Sequence, residues 1–348
     1  MKKVKWGVIG AGGIADRRTI PGLLLANNAA LVAVMDTRKE LAETVAKKHG
    51  AAYSYDKEAD LLERSEIDAV YIASPVAFHY EQTKMAVQYG KHILLEKPLA
   101  LTIKEGEELI DLCKKQQLLL ASGFMMRFHA YHVKAKELIA DGVIGTVVSA
   151  RAQLTCWFPD MPGTWRQSKA TSGGGALMDM GVHCIDLLQH IICDKVESVS
   201  ALVGTKTFAY DVEDSATVLL KFKKGAYATV DTNYNIPDNA AECRLEIYGT
   251  KGSILASGTI SQVEGGNLRL LLFDDTEYSA IQDRTSTGEV IVDVTFGNMY
   301  TKEIESFGES ISSGAPIVVT AEDALQVQKV VEAAYLSAKE SRLVNVEN

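Results

Sequence analysis

At 348 residues the chain is too long for one ordinary hydrophobic core, so two domains are expected. Hydrophobic residues make up 47% and charged residues 23%, the balance of a soluble globular protein. The formal net charge of −9 argues against partners such as nucleic acid or an anionic membrane, which require a basic surface.

The five cysteines are scattered, odd in number and without a CxxC pair, so no disulfide framework is expected and a reducing, cytoplasmic setting fits best. The start MKKVKWGVIG resembles a secretory leader only superficially, because its apolar run is short and enters a glycine turn directly. No segment approaches the length of a membrane span.

Taken in chain order, the first third alternates short apolar runs with amphipathic ones. Strands are predicted near 4–9, 31–35, 69–73, 92–95 and 118–121, with helices near 40–48, 56–64, 80–89 and 103–115. Short apolar strands between amphipathic helices imply a parallel sheet covered on both faces, with ligands at the strands' C-terminal edge. After about Gly123 the pattern changes. A helix near 131–140 is followed by strand-like runs near 146–155, 196–203, 216–222, 227–233, 244–249 and 268–273, joined by polar turns that suggest antiparallel neighbours. Helices near 300–312 and 321–337 close the chain. The expected fold is α/β: a doubly wound parallel Rossmann domain over 1–123, then an α+β domain over 124–348 with a large, open, mainly antiparallel sheet.

Several residues at the strand ends carry chemistry. Gly10-x-Gly12-x-x-Ala15 fits a dinucleotide fingerprint, with Gly13 and Ile14 opening the helix whose N-terminus faces the phosphates. Asp36 follows the second strand, where a carboxylate accepts from ribose hydroxyls and repels a 2′-phosphate. NAD is therefore favoured over NADP, and Arg38, beside Thr37, partly offsets that preference. Asp36 also suits a helix N-cap. Ser74-Pro75 ends another strand and should lie against the cofactor, with His79 close behind. His79 is more often a helix-start residue than a catalyst. Glu96-Lys97-Pro98 follows the predicted strand near 92–95, where a lysine can face the nicotinamide.

In the second half, Gly173-Gly174-Gly175 leads into Asp179 and His183, four apart and so on one helix face. Without context such a pair is usually a surface ion pair. Beside Lys97 and a dinucleotide fingerprint it gains a chemical reading: His183 takes a hydroxyl proton, Asp179 orients the imidazole or a substrate hydroxyl, and Lys97 stabilises charge on the reacting oxygen. Trp165, Arg166, Arg127 and His129 are candidates to line the substrate side, a set that suits a polyhydroxylated ring; packing is an equal account of Trp165. A zinc site from His183, Cys184, His190 and Cys193 is disfavoured by helical geometry, so no metal is expected.

These motifs together resemble the Gfo/Idh/MocA oxidoreductases: Gly10–Ala15, Glu96-Lys97-Pro98, and the glycine run followed by Asp179 and His183. The closing helix, with Ala321-Glu322-Asp323 and Tyr335, is similar too, so the resemblance spans nearly the whole chain. It implies a nucleotide domain, an open-sheet domain that forms homodimers or homotetramers through its exposed face, and Lys97, Asp179 and His183 as a catalytic trio. The activity implied is NAD(P)-dependent hydride transfer to or from a sugar or cyclitol hydroxyl carbon. A glycosidase that oxidises its substrate transiently, and a non-catalytic cofactor-sensing regulator, are the alternatives. The first would cleave without accumulating NADH, and the second can dispense with the trio that this chain keeps.

Overall fold

The computed structural model describes residues 3–273, 280 and 288–347. The chain divides into two compact units. The first unit comprises residues up to Phe128 together with Gly163–Gly173 and Asn298–Gln328; the second comprises His129–Pro162, Gly174–Gly297 and the chain from Lys329 onward.

The first unit is built on six parallel strands: β1 (Val4–Ile9), β2 (Ala29–Met35), β3 (Tyr53–Tyr55), β4 (Ala69–Ile72), β5 (His92–Leu95) and β6 (Leu120–Ser122). They lie in the order β3-β2-β1-β4-β5-β6, and every neighbouring pair is parallel. This is the doubly wound order, whose direction of winding reverses between β1 and β4 and so opens a crevice at their C-terminal ends. Burial on both faces explains the continuous apolar runs: all four residues of β4 are buried, as are Val8 and Ile9 at the end of β1.

The sequence expects one cut near Gly123, yet two later segments join this unit. Helix Met299–Ser313 lays Ile304 and Phe307 into the core around β1, and the Phe307 ring lies 5.9 Å from that of Trp6. Burying each such side chain contributes about 1.5–3 kcal/mol, which ties a late helix to the first strand. The Asn28 side-chain amide donates to Glu305 O at 2.8 Å, fixing the register of that packing.

The second unit carries nine strands: β7 (Val147–Thr155), β8 (Val196–Gly204), β9 (Ser215–Phe222), β10 (Tyr227–Asn233), β11 (Leu245–Gly249), β12 (Gly252–Ser257), β13 (Asn267–Leu272), β14 (Gly288–Ile291) and β15 (Val344–Asn345). Their order is β14-β13-β12-β11-β7-β10-β9-β8-β15. All pairs are antiparallel except β7 with β10, which run parallel from Ser149 opposite Tyr227. Alternation is clear on β9, where Ala216, Val218, Leu220 and Phe222 are buried and the residues between them are not. Helix Val182–Ile192 is buried along most of its length, and it carries one of the candidate catalytic residues.

Candidate active site

In the first unit the glycine turn sits at the end of β1. Gly10 has φ +82°, and a Cβ there would lie 2.7 Å from Ser74 N, so only glycine lets the turn pass this close to the end of β4. The N–H groups of Gly10 and Ala11 both donate to Met35 O at 2.9 Å, which locks the turn to β2. Gly12, Gly13 and Ile14 then open a helical segment, and among the described residues a Cβ at Gly13 would meet nothing within 4 Å. The N–H groups that a helix start leaves unpaired, above an open glycine surface, make a cradle that fits a pyrophosphate.

Asp36 follows β2 and is 7% exposed. Its carboxylate accepts from Arg38 N at 3.1 Å and from Arg38 Nε at 3.0 Å. The helix Lys39–His49 has Arg38 at its N-cap position, so Asp36 anchors the turn before that helix rather than capping it. The Asp36 hydrogen bond raises the Arg38 pKa. Thr37 is exposed. A buried carboxylate at the end of β2 fits a ribose, and an exposed guanidinium beside it offers a charge partner for a 2′-phosphate.

His79 is fully buried at the start of helix His79–Gln88. Its Nδ1 lies 3.0 Å from Pro98 O and its Nε2 3.0 Å from Ser74 O, so the ring ties the loop after β4 to the loop after β5. Burial pulls its pKa down to about 4 against the opposing pull of the carbonyls, so at neutral pH the ring carries one N–H and donates to one of the two carbonyls at a time. Ser74 donates through its hydroxyl to Gln82, and Pro75 is half-buried. His79 therefore holds the two loops together rather than presenting its own ring.

Glu96 accepts from the Tyr71 hydroxyl, which in turn accepts from Thr19 Oγ1 at 2.9 Å. Burial raises the Glu96 pKa, opposed by the Lys97 ammonium and more weakly by Arg166. Glu303, 3% exposed, has its pKa raised well above the carboxylate range by burial and by the charge of Glu96. The Lys97–Pro98 peptide is cis.

Trp165 and Arg166, expected as part of the second domain, pack with the first unit. The Arg166 guanidinium lies 4.4 Å from the Trp165 ring centroid, a cation–π contact. The short helix Lys169–Ser172 that follows them packs on Val76–Phe78, which carries the segment to this unit. Arg127 is 5% exposed and donates to Val318 O and Asp323 Oδ2, both at 2.9 Å, so it is engaged in bracing the later segment. His129 is fully buried in the second unit, where its Nδ1 accepts from Tyr131 N at 3.2 Å and caps helix Ala130–Ala140. Both side chains thus serve local structure where they stand.

In the second unit Asp179 lies in a π-helical turn, Leu177–Gly181, that runs into helix Val182–Ile192. His183 lies in the first turn of that helix and is 6% exposed. Asp179 Oδ2 accepts from the Tyr234 hydroxyl at 2.8 Å, and Tyr234 is itself 1% exposed beside Phe158. The turn is held from behind by Glu213. Its Oε2 accepts from Gly175 N at 2.8 Å, its Oε1 from Leu177 N at 2.9 Å and from the Tyr335 hydroxyl at 2.8 Å. Tyr234 and Glu213 escape the sequence reading because neither stands near the glycine run in the chain. Among the described residues no three His, Cys, Asp or Glu side chains are grouped to hold a metal ion, and no helix is long and apolar enough to cross a membrane.

Comparison with known proteins matches two family models. Residues 4–124 match the oxidoreductase family with an NAD-binding Rossmann fold, and residues 132–255 match the GFO/IDH/MocA C-terminal domain. The chain is 28% identical to the 1,5-anhydro-D-fructose reductase of Ensifer adhaerens, covering 92% of this chain and 91% of the reductase. It is 29% identical to the myo-inositol 2-dehydrogenase of Thermotoga maritima, over 98% of both chains. Among solved structures, the aldose–aldose oxidoreductase of Caulobacter crescentus, complexed with glycerol, superposes with a TM-score of 0.89 at 26% identity, covering 99% of this chain and all of the other.

Proposed function

The chain belongs to the Gfo/Idh/MocA oxidoreductases, NAD-binding enzymes, and on that premise we propose that it oxidises or reduces a hydroxyl-bearing carbon of a sugar or cyclitol. The observation that carries this reading is the pairing of Asp179 with Tyr234, one helical turn from His183, in a chain whose first unit has a nucleotide cradle. The relatives named above, a sugar reductase, an inositol dehydrogenase and an aldose oxidoreductase, support the substrate class.

NAD, when bound, supplies the hydride acceptor or donor. His183 takes the hydroxyl proton as the carbon is oxidised and returns it in reduction. Lys97 binds the same oxygen and stabilises its developing negative charge. Asp179, with one oxygen held by Tyr234, orients the imidazole or a neighbouring substrate hydroxyl. Asp36 favours NAD, while Arg38 keeps NADP accessible. Trp165 and Arg166 remain the side chains best suited to contact the sugar ring.

The second unit's sheet also supports self-association as a homodimer or homotetramer. Leu202, Leu219, Tyr227 and Ile291 are 78%, 56%, 62% and 67% exposed on strands of one sheet. Apolar side chains at such exposure favour a partner surface over water. Light scattering on the eluting protein reports the assembly; a monomer at micromolar concentration removes this part.

The catalytic test is a panel of inositols, aldoses and deoxy sugars with NAD or NADP, followed by absorbance of the reduced nicotinamide. Lys97→Met and His183→Ala should each lower turnover on the best substrate by about a thousandfold or more while NADH still binds. Near-normal turnover in either variant would remove the mechanism.

A further inference from the structure

We infer that Glu213 is the positioning residue of the catalytic turn: it holds the N-terminal edge of the segment that presents Asp179 and His183. The inference rests on the proposed roles of those two residues and adds what sets their geometry. Three consecutive N–H groups at the head of the turn end on this one residue. Gly175 N and Leu177 N donate to its two carboxylate oxygens, and Ala176 N donates to its backbone carbonyl at 3.0 Å. Asp179 N then donates to Gly175 O at 2.9 Å, so the hold passes to the catalytic carboxylate within one turn.

The neighbouring residue holds the other side. Asp214 accepts N–H bonds from Lys206, Thr207 and Phe208 at 2.8, 2.7 and 3.1 Å, and its backbone carbonyl accepts from Tyr234 N at 2.8 Å. Tyr234 is the residue whose hydroxyl reaches Asp179. The dipeptide Glu213-Asp214 thus grips Asp179 from two directions, through the turn that carries it and through the strand end that hydrogen-bonds it. Tyr335, on helix Ala321–Glu340, completes the set of donors to the carboxylate. Burial raises the Glu213 pKa, while Tyr335 and the turn's N–H groups oppose that rise by favouring the charged form.

Replacing the carboxylate by an amide turns one acceptor into a donor that faces backbone N–H or the Tyr335 hydroxyl. The turn must then shift, and a displacement on the order of 1 Å at a reacting group costs about a hundredfold in rate. The test compares Glu213→Gln, His183→Ala and the double variant on the best panel substrate, with NADH binding read by fluorescence. Glu213→Gln is expected to lower kcat about 30- to 300-fold with KM and NADH affinity within about twofold of wild type. Because it acts through His183 and Asp179, it should remove little more from the rate that survives in His183→Ala.

A near-normal kcat in Glu213→Gln, with His183→Ala inactive, overturns the inference and leaves the catalytic reading intact. An equal further loss in the His183→Ala background also overturns it, since Glu213 would then act elsewhere. An active His183→Ala removes the catalytic reading, and this inference with it. Should Glu213→Gln fail to fold, Tyr335→Phe carries the test. It removes one donor and keeps the charge, so kcat should fall about three- to tenfold at unchanged KM, and an unaltered kcat sinks the idea.

Discussion

Each unit contains a helical segment that starts at a glycine turn pressed against a neighbouring backbone, but the two are used in opposite ways. At Gly10 the close neighbour is Ser74 N, and the turn opens toward free space at Gly13. At Gly175 a Cβ would lie 1.9 Å from Glu213 O, and the turn's N–H groups are already taken by Glu213. An open helix start suits an anionic ligand, because its donors await one. A closed start cannot bind a phosphate, but it fixes the side chains of the next turn. A close backbone approach at a glycine therefore suits ligand capture in one unit and side-chain placement in the other.

The largest effects are expected at the glycines themselves. Gly175→Ala puts a methyl group into a backbone carbonyl, so it should cost about 2–4 kcal/mol of stability in urea unfolding and abolish turnover. Gly10→Ala meets Ser74 N at 2.7 Å and demands φ +82° of a residue with a Cβ. Its distinguishing effect should be a loss of NADH affinity of about tenfold or more, measured calorimetrically. If Gly175→Ala that remains folded weakened NADH as much as Gly10→Ala does, the two turns would not divide the work as described.

A smaller effect sharpens the contrast inside the second unit. Tyr234→Phe deletes the donor to Asp179 and leaves the ring packed on Phe158. We expect kcat to fall about tenfold, with NADH affinity unchanged. An unchanged kcat would show that Asp179 keeps its orientation without that bond.

The smallest effect lies in the first unit's core and is pH-dependent. Glu303 has a folded pKa raised well above the usual 4.5 by burial and by Glu96. The stability linked to this group is therefore complete below about pH 4.5 and is lost as pH rises through the folded pKa. Glu303→Gln escapes that loss. Its melting temperature should exceed wild type at about pH 8, with the gap closing toward about pH 4. A gap independent of pH would mean that the effect is packing, not charge.

Much of the first unit was legible because strands buried on both faces leave unbroken apolar runs such as Ala69–Ile72, and because glycines mark turns that need them. The short polar edge strand Tyr53–Tyr55 carries no such run, and β12, entered from Gly252, has a weak one. The parallel pairing of β7 with β10 was hidden too, since sequence patterns mark strands and tight turns but not which distant strands meet. Of the candidate site residues, those tied to a local motif, Gly10, Gly12, Asp36 and Lys97, could be named from the sequence. Glu213 could not: an acidic pair before a strand is an ordinary turn signal, and its importance depends on a glycine run nearly forty residues away in the chain. Arg127 and His129 stand as substrate-side candidates in sequence because their partners, Asp323 and the head of the helix that His129 caps, are visible only in three dimensions.

The packing of Phe307 on Trp6 has a consequence for how the protein is made. Synthesis delivers β1 long before its covering helix, so the nucleotide unit cannot close its interior until that later segment has emerged. Until then β1 and β2 wait with an apolar flank exposed to solvent. A gene fragment that stops after the sixth parallel strand would keep every glycine of the fingerprint and still lack a wall of its own core.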